Sequence, residues 1–193
     1  MRCRVGRRRS RFVVATTRTA MELGRVICER DPVRARARDA RLLAEQGGQV
    51  TTQYRQDMIP GLREGLIVPH SAGAGSILPQ PMANVQGDIV RLDDLTGCTV
   101  RVVTTIDLPA VDRASLLAAL QPLRGVLVLL GKPGDSTASV THALEDVPVL
   151  APWLAQLGQS FAVVRPDHCV FGTAGSAAEA ASLLEALRAA LAR

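Results

Sequence analysis

Lysine is almost missing from this chain: Lys132 stands alone against 22 arginines. Near-total use of Arg beside abundant Ala points to a GC-rich coding sequence more than to a special arginine chemistry. Aromatic residues are scarce, with Trp153, Tyr54 and three Phe. A core must therefore be built from Leu, Val and Ala, and there is no stacking platform for single-stranded bases. The four cysteines, Cys3, Cys28, Cys98 and Cys169, lie far apart. That spacing argues against a disulfide framework and against a zinc knuckle. No stretch approaches the roughly 18 apolar residues of a membrane span. The basic start MRCRVGRRRS is followed by no apolar run of signal length. A cytoplasmic chain with reduced thiols and no membrane partner is the expectation.

Hydrophobic residues make up 47% of the 193 and charged residues 21%, the balance of a globular chain and not a disordered one. The net charge of +5 hides a split. Residues 1–41 hold 13 Arg against Glu22, Glu29, Asp31 and Asp39, a balance of +9, and the rest carries −4. Arginine clusters can hold phosphates. Here only Phe12 stands near them and no nucleic-acid fold motif follows, which argues against nucleic acid as a partner.

Residues 1–11 read as a basic, disordered and solvated tail, since a run such as Arg7-Arg8-Arg9 repels itself. A helix is expected from Phe12 to about Arg30. Asp31-Pro32 then fits an N-cap and a first-turn proline, opening a helix that Gly47-Gly48 ends. Residues 47–88 carry seven Gly and four Pro and read as a loop that wraps over another body or belongs to a domain whose remainder is absent. From residue 88 the pattern changes. Ile89–Leu92 reads as a strand, Asp93–Gly97 as a turn and Thr99–Thr105 as a β-branched strand. Residues 111–123 suit a helix, and Gly125–Leu130 a strand buried on both faces. Lys132–Ser139 reads as a polar loop and Val147–Gly158 as a helix with Pro152 near its first turn. Phe161–Val164 and Cys169–Thr173 read as strands joined at Pro166-Asp167. Ser176 with Glu179 makes a capping box for a final amphipathic helix. The order from residue 99 is β-α-β-α-β-β-α, that of a thioredoxin-like core in an α/β protein.

The chemistry such a core could carry is not spelled out. A thioredoxin dithiol belongs just after the first core strand, where a helix N-terminus lowers the thiol pKa. That position reads Thr105-Ile106-Asp107-Leu108-Pro109, without Cys. Cys98 and Cys169 read as small buried hydrophobes. His70, His142 and His168 have no ligand partner at helical or hairpin spacing. Asp93-Asp94 suits a turn better than a cation site, and His168, in a hairpin turn, is expected at the surface. Gly131-Lys132 is followed by Pro133 and is no phosphate loop, and Gly73-x-Gly75 opens no helix after a strand. Ser76 and Ser176 lack the flanks of a nucleophile elbow. No catalytic, cofactor-binding or metal-binding residue is assigned.

Several segments nevertheless resemble one family in order. Arg91-Leu92-Asp93-Asp94-Leu95-Thr96-Gly97-Cys98-Thr99-Val100 is similar to the L-D-D-x-x-G-x-x-F signature that opens the C-terminal domain of FAD-dependent phenolic hydroxylases. Gly75–Pro81 (GSILPQP) is similar to the segment before it, and Val163–Val170 (VVRPDHCV) to the family's late hairpin. Trp153-Leu154 resembles the helix leading to that hairpin, and Thr19–Ile27 the helix after the flavin domain. The likeness covers roughly residues 12–193 and is greatest to enzymes of the 3-(3-hydroxyphenyl)propionate, polyketide and phenol hydroxylase kind. It departs from the pattern where Val100 or a neighbour replaces the aromatic after the Gly.

The resemblance implies a monooxygenase whose FAD, reduced by NAD(P)H, inserts oxygen into an electron-rich ring. The family's Gly-x-Gly-x-x-Gly, Asp-Gly and Gly-Asp-Ala-Ala-His segments do not occur here. No flavin contact can therefore be carried over, and the chain is expected to be inactive by itself. The expectation is a 1–11 tail, a 12–87 helical and loop-rich remnant of the flavin and substrate junction, and an 88–193 thioredoxin-like domain. A truncated gene, a frameshift or a late start codon would produce this pattern. A separate flavin-binding domain or a second copy would be the partner. The alternative is a stand-alone, non-catalytic interaction or dimerisation module.

Overall fold

The computed structural model describes residues 5–49 and 60–192, with side chains from residue 13 onward in the first stretch. Two compact units divide the chain, Met1–Pro60 and Gly61–Arg193. The first is helical. Helix α1 spans Val5–Ile27 and starts ahead of the expected Phe12. Helix α2 spans Pro32–Glu45. Asp31 caps it as the sequence predicts: its carboxylate accepts from the N–H groups of Val33 (2.8 Å) and Arg34 (3.0 Å), and Pro32 fills the first turn. Gly48 closes it by donating to Leu43 O at 2.7 Å, with positive φ at Gly47 and Gly48. The Arg38 guanidinium donates to Val26 O and ties the middle of α2 to the end of α1. No residue described between 13 and 49 is buried.

The second unit is mixed α/β, with two sheets. Strands β1 (Met82–Val85) and β2 (Asp88–Arg91) form an antiparallel hairpin, and β6 (Leu144–Glu145) pairs with the other edge of β1. Gln86 and Gly87, both at positive φ, make its two-residue turn. The larger sheet has the order β5-β4-β3-β7-β8. Its strands are β3 (Arg101–Thr104), β4 (Val126–Leu129), β5 (Val140–His142), β7 (Phe161–Val164) and β8 (Val170–Ala174). The first three run parallel. Strand β7 joins β3 antiparallel and β8 joins β7 antiparallel, with an irregularity at Val163/Val164.

Helices α3 (Leu92–Thr96), α4 (Ala110–Leu120), α5 (Leu150–Gln156) and α6 (Ala177–Leu191) complete the unit. Both faces of the sheet are covered, as the continuous apolar runs require. On one face Val102, Leu127, Leu129, Phe161 and Val163 meet Leu116 and Leu120 of α4 and Leu184 and Leu187 of α6. On the other, Val103, Val128, Ala162 and Val164 meet Leu92, Leu150, Leu154 and Ala83. Burying each such Val, Leu or Phe side chain contributes roughly 1.5–3 kcal/mol before chain entropy is set against it.

Three local expectations change. Asp93–Gly97 is a turn of helix and not an open turn, because the first-turn acids suit a helix N-terminus. The stretch 132–147 contributes strands β5 and β6, too short to leave a periodic signal. The glycine-rich segment, from residue 61 onward, packs on this same unit and not on another body, and it is not loop throughout, since Met82–Val85 is strand β1. Residues 66–78 run along the free edge of β8: Val68 donates to Phe171 O (2.8 Å), Gly75 to Val170 O (2.8 Å), and Val170 to Ser76 O (2.9 Å). This strap satisfies edge groups that would otherwise invite another strand. Gly75 has φ +85, and a Cβ there would lie 1.9 Å from Leu62 O, so only glycine fits.

Candidate functional site

The polar centre of the second unit is Arg101. It opens β3 between apolar neighbours and is only 1% exposed. A guanidinium so placed must find partners, since a buried unpaired charge costs several kcal/mol. It finds them on three segments. On α3, Asp93 pairs with it at 2.8 Å and Thr96 Oγ1 accepts from it at 2.7 Å. Just past α3, Gly97 O accepts at 3.2 Å. From the β7–β8 turn, His168 Nδ1 lies 2.5 Å from its second terminal nitrogen.

Each partner is placed by a local rule. Thr96 donates its hydroxyl to Leu92 O at 3.1 Å and so presents its oxygen to Arg101. Gly97 ends the helix at φ 58, ψ −163, a region open essentially to glycine alone. His168 has φ 63 and its N–H donates to Arg165 O at 3.0 Å, which closes the hairpin turn and points the ring back at β3. Gln80 completes the cluster with its amide oxygen turned to α3. That oxygen accepts from the Leu92 (2.9 Å) and Asp93 (3.1 Å) N–H groups, and the amide nitrogen donates to the Asp93 carboxylate. Arg165 extends the network outward, pairing with Asp167 at 2.5 Å and donating to Leu66 O of the strap at 2.9 Å.

Burial pushes the Arg101 guanidinium below its ordinary pKa, and the adjacent Asp93 carboxylate opposes that shift. An arginine remains a cation regardless. The arrangement leaves Arg101 Nε buried without a partner. Its chemistry is that of a cross-link between α3, β3 and the β7–β8 turn.

The segments GSILPQP, RLDDLTGCTV and VVRPDHCV thus meet at one place, through Gln80, Asp93, Thr96, Gly97, Arg101 and His168. Sequence reading singled out Asp93-Asp94 and His168 and missed Arg101 and Gln80. The Arg101 side chain gives no sequence signal, because a lone Arg opening a strand looks like an edge cation. His168 is not at the surface as expected: its side chain and that of Asp93 are each 32% exposed, and the two lie 3.0 Å apart. Asp94 stays exposed.

Other singled-out residues remain apart. Cys98 is exposed, contrary to its reading as a buried hydrophobe, whereas Cys169 is buried and its thiol is pushed up by that burial. His70 is exposed. His142 Nδ1 is buried against Gly134 with no partner. Among the described residues no three His, Cys, Asp or Glu gather as a metal site. Ser76 donates to Gly73 O at 2.7 Å, and Ser176 caps α6 by accepting from Glu179 N–H at 3.3 Å. At the loop after β3, Lys132 pairs with Asp107 at 3.0 Å and holds its carboxyl below the usual range.

Gly73-x-Gly75 is not shaped as a phosphate cradle. Phosphate cradles need glycines whose backbone stays open to the ligand. Gly73 is closed by Trp153 and Leu157, and Gly75 by the Leu62 carbonyl. Among the described residues no helix is long and apolar enough to cross a membrane.

Comparison with known proteins matches residues 75–190 to the family described as the HcaD C-terminal domain. A curated relative, "Probable NADH-specific resorcinol 4-hydroxylase" of Rhodococcus jostii (strain RHA1), is 32% identical over 187 residues, covering 91% of this chain and 32% of the relative. The chain therefore spans about a third of that relative's length. Two solved structures are similar in part. The flavin-dependent monooxygenase PieE, in complex with FAD and substrate, has 16% identity and a TM-score of 0.46 over 84% of this chain and 31% of its own. Aklavinone-11 hydroxylase, in a ternary complex with FAD and aklavinone, has 17% identity and a TM-score of 0.47 over 78% and 30%.

Proposed function

We propose, because the chain belongs to the HcaD C-terminal domain family, that it acts as the C-terminal part of an FAD-dependent aromatic-ring hydroxylase and depends on a separate flavin-binding part for catalysis. The observation that carries this reading is the Arg101 cluster. Its partners Gln80, Asp93, Thr96, Gly97 and His168 come from the segments that resemble the hydroxylase family, Arg101 directly follows one of them, and all lie within the matched 75–190. In this reading those segments serve to cross-link the fold. No residue of this chain is proposed as catalytic, flavin-binding or metal-binding.

Within this reading the 61–193 unit includes a thioredoxin-like domain. Its support is the order β4-β3-β7-β8, the first two parallel and the last two antiparallel, with β5 as an added edge. Residues 12–87 would lead from the flavin and substrate part, and the basic residues before them are not a disordered tail throughout, since α1 already begins at Val5. Support for a missing partner comes from α1 and α2. Val13, Val14, Met21, Ile27, Val33 and Leu43 are exposed there, and none of the described 13–49 is buried. Helices stable in water ordinarily bury such a face. The flavin-binding part, in the cytoplasm, is the proposed partner.

The test is the visible absorption of the purified chain after incubation with FAD and desalting. The expected result is a colourless protein, with a flavin band only when a flavin-binding part is supplied. A retained, protein-shifted flavin band on the chain alone would overturn the proposal.

A further inference from the structure

His168 Nδ1 faces two groups that ask opposite things of it. It lies 2.5 Å from the Arg101 terminal nitrogen, which can only donate. It lies 3.0 Å from the Asp93 carboxylate, which can only accept when ionised. One ring nitrogen cannot accept from the first and donate to the second at once. From this geometry we infer that His168 is a proton-operated switch between β3 and α3. With Nδ1 bare, it accepts from Arg101 and carries its proton on Nε2. With Nδ1 protonated, it releases the guanidinium and donates to Asp93.

The surroundings suit two states. The ring is carried by a turn whose backbone is held independently: Arg165 accepts from His168 N–H, and His168 O accepts from Leu78 N–H at 3.0 Å. The ring can thus exchange partners without the hairpin opening. Arg101 keeps Thr96 and Gly97 O as acceptors when His168 leaves, and Asp93 keeps the Gln80 amide. The charged and titratable groups on the elements that meet at the ring are Asp93 and Asp94 of α3, Cys98 after it, Arg101 of β3, and Arg165, Asp167 and Cys169 of its own turn. Among the described residues, Asp93 and Arg101 are the ones within hydrogen-bonding reach of the ring. Proton uptake therefore transfers a link from the central strand to α3. No bond other than the N–H is made or broken, and the proton comes from solvent.

The experiment is a pH titration, between about pH 8 and pH 5, of the full chain labelled with nitrogen-15. It follows the His168 ring nitrogens and the amides of Leu92–Thr96. Above the transition, the expected state is the Nε2–H tautomer, with Nδ1 in the acceptor range. The α3 amides should then shift with the same midpoint as the ring. His168→Asn offers an oxygen to Arg101 at every pH, and Asn tolerates positive φ. In it the α3 response in that window should be lost. An Nδ1–H tautomer at high pH would overturn the inference. So would α3 amides that ignore the ring's titration, or that respond equally in His168→Asn. The wild-type tautomer decides the matter even if the variant does not fold. The outcome is independent of flavin binding, so it stands or falls apart from the hydroxylase reading.

Discussion

Arg101 is the residue on which the second unit turns. A guanidinium in an apolar layer demands a carboxylate, and Asp93 supplies it from a different element. Asp93→Asn leaves the cation buried without its counter-ion. The expected loss is near the lower end of the roughly 3–5 kcal/mol typical of such a change, because Asp93 is one-third exposed and water screens part of the pair. Adding Arg101→Met to Asp93→Asn should recover part of that loss, since an apolar side chain of similar reach needs no partner. Urea unfolding midpoints of the two variants measure this. A double variant less stable than Asp93→Asn would mean that Arg101 contributes packing beyond its charge.

Short helices need outside help at their ends, and this fold provides it from unexpected places. Helix α5 has seven residues and no capping side chain at its N-cap, Val149. Its free N–H groups go instead to Glu145, whose carboxylate accepts from Val149 (3.4 Å), Leu150 (2.7 Å) and Ala151 (3.2 Å). Glu145 sits on β6, so one side chain joins the small sheet to the helix that floors the large one. Glu145→Ala should cost about 1–2 kcal/mol, as the loss of a good N-cap does, read as a lower urea midpoint at unchanged m. An unchanged midpoint would show that water replaces the carboxylate. Helix α6 has a more local device. Ser176 accepts from Glu179 N–H, and Glu179 reaches back one residue beyond the usual box to accept from Gly175 N–H at 2.9 Å.

At the scale of the molecule, the two units differ in what holds them. All the buried apolar residues described belong to 61–193. A chain starting at Gly61 should therefore unfold cooperatively, with stability within about 0.5 kcal/mol of the full chain, as expected when no described residue that is removed is buried. Calorimetry or urea unfolding tests it. A large loss on truncation would show that residues 1–60 contribute to the core after all. The α1–α2 unit, arginine-rich and without a buried residue among those described, is the part whose folding is least explained by its own contacts.

The amino-acid sequence by itself determined the elements whose signal is local. Asp31-Pro32 and Ser176 with Glu179 mark helix starts because capping is a matter of three or four consecutive residues. The β-branched run before Thr105 and the apolar run before Gly131 mark buried strands because both faces must be covered. Gly97 was legible as part of a signature, though not why: only the backbone shows the positive φ that excludes other residues. Tertiary structure alone decided the rest. Strands β5 and β6 exist because a neighbour supplies their hydrogen bonds, not because three or two residues have a preference. The 66–78 strap is ordered by the edge of β8, far along the chain. Arg101 and His168, 67 residues apart, become partners only when β3 and β7 pair and the hairpin turn swings the ring over the strand's first residue. Burial of a charge has no sequence period, which is why the centre of this fold could not be read before the chain was folded.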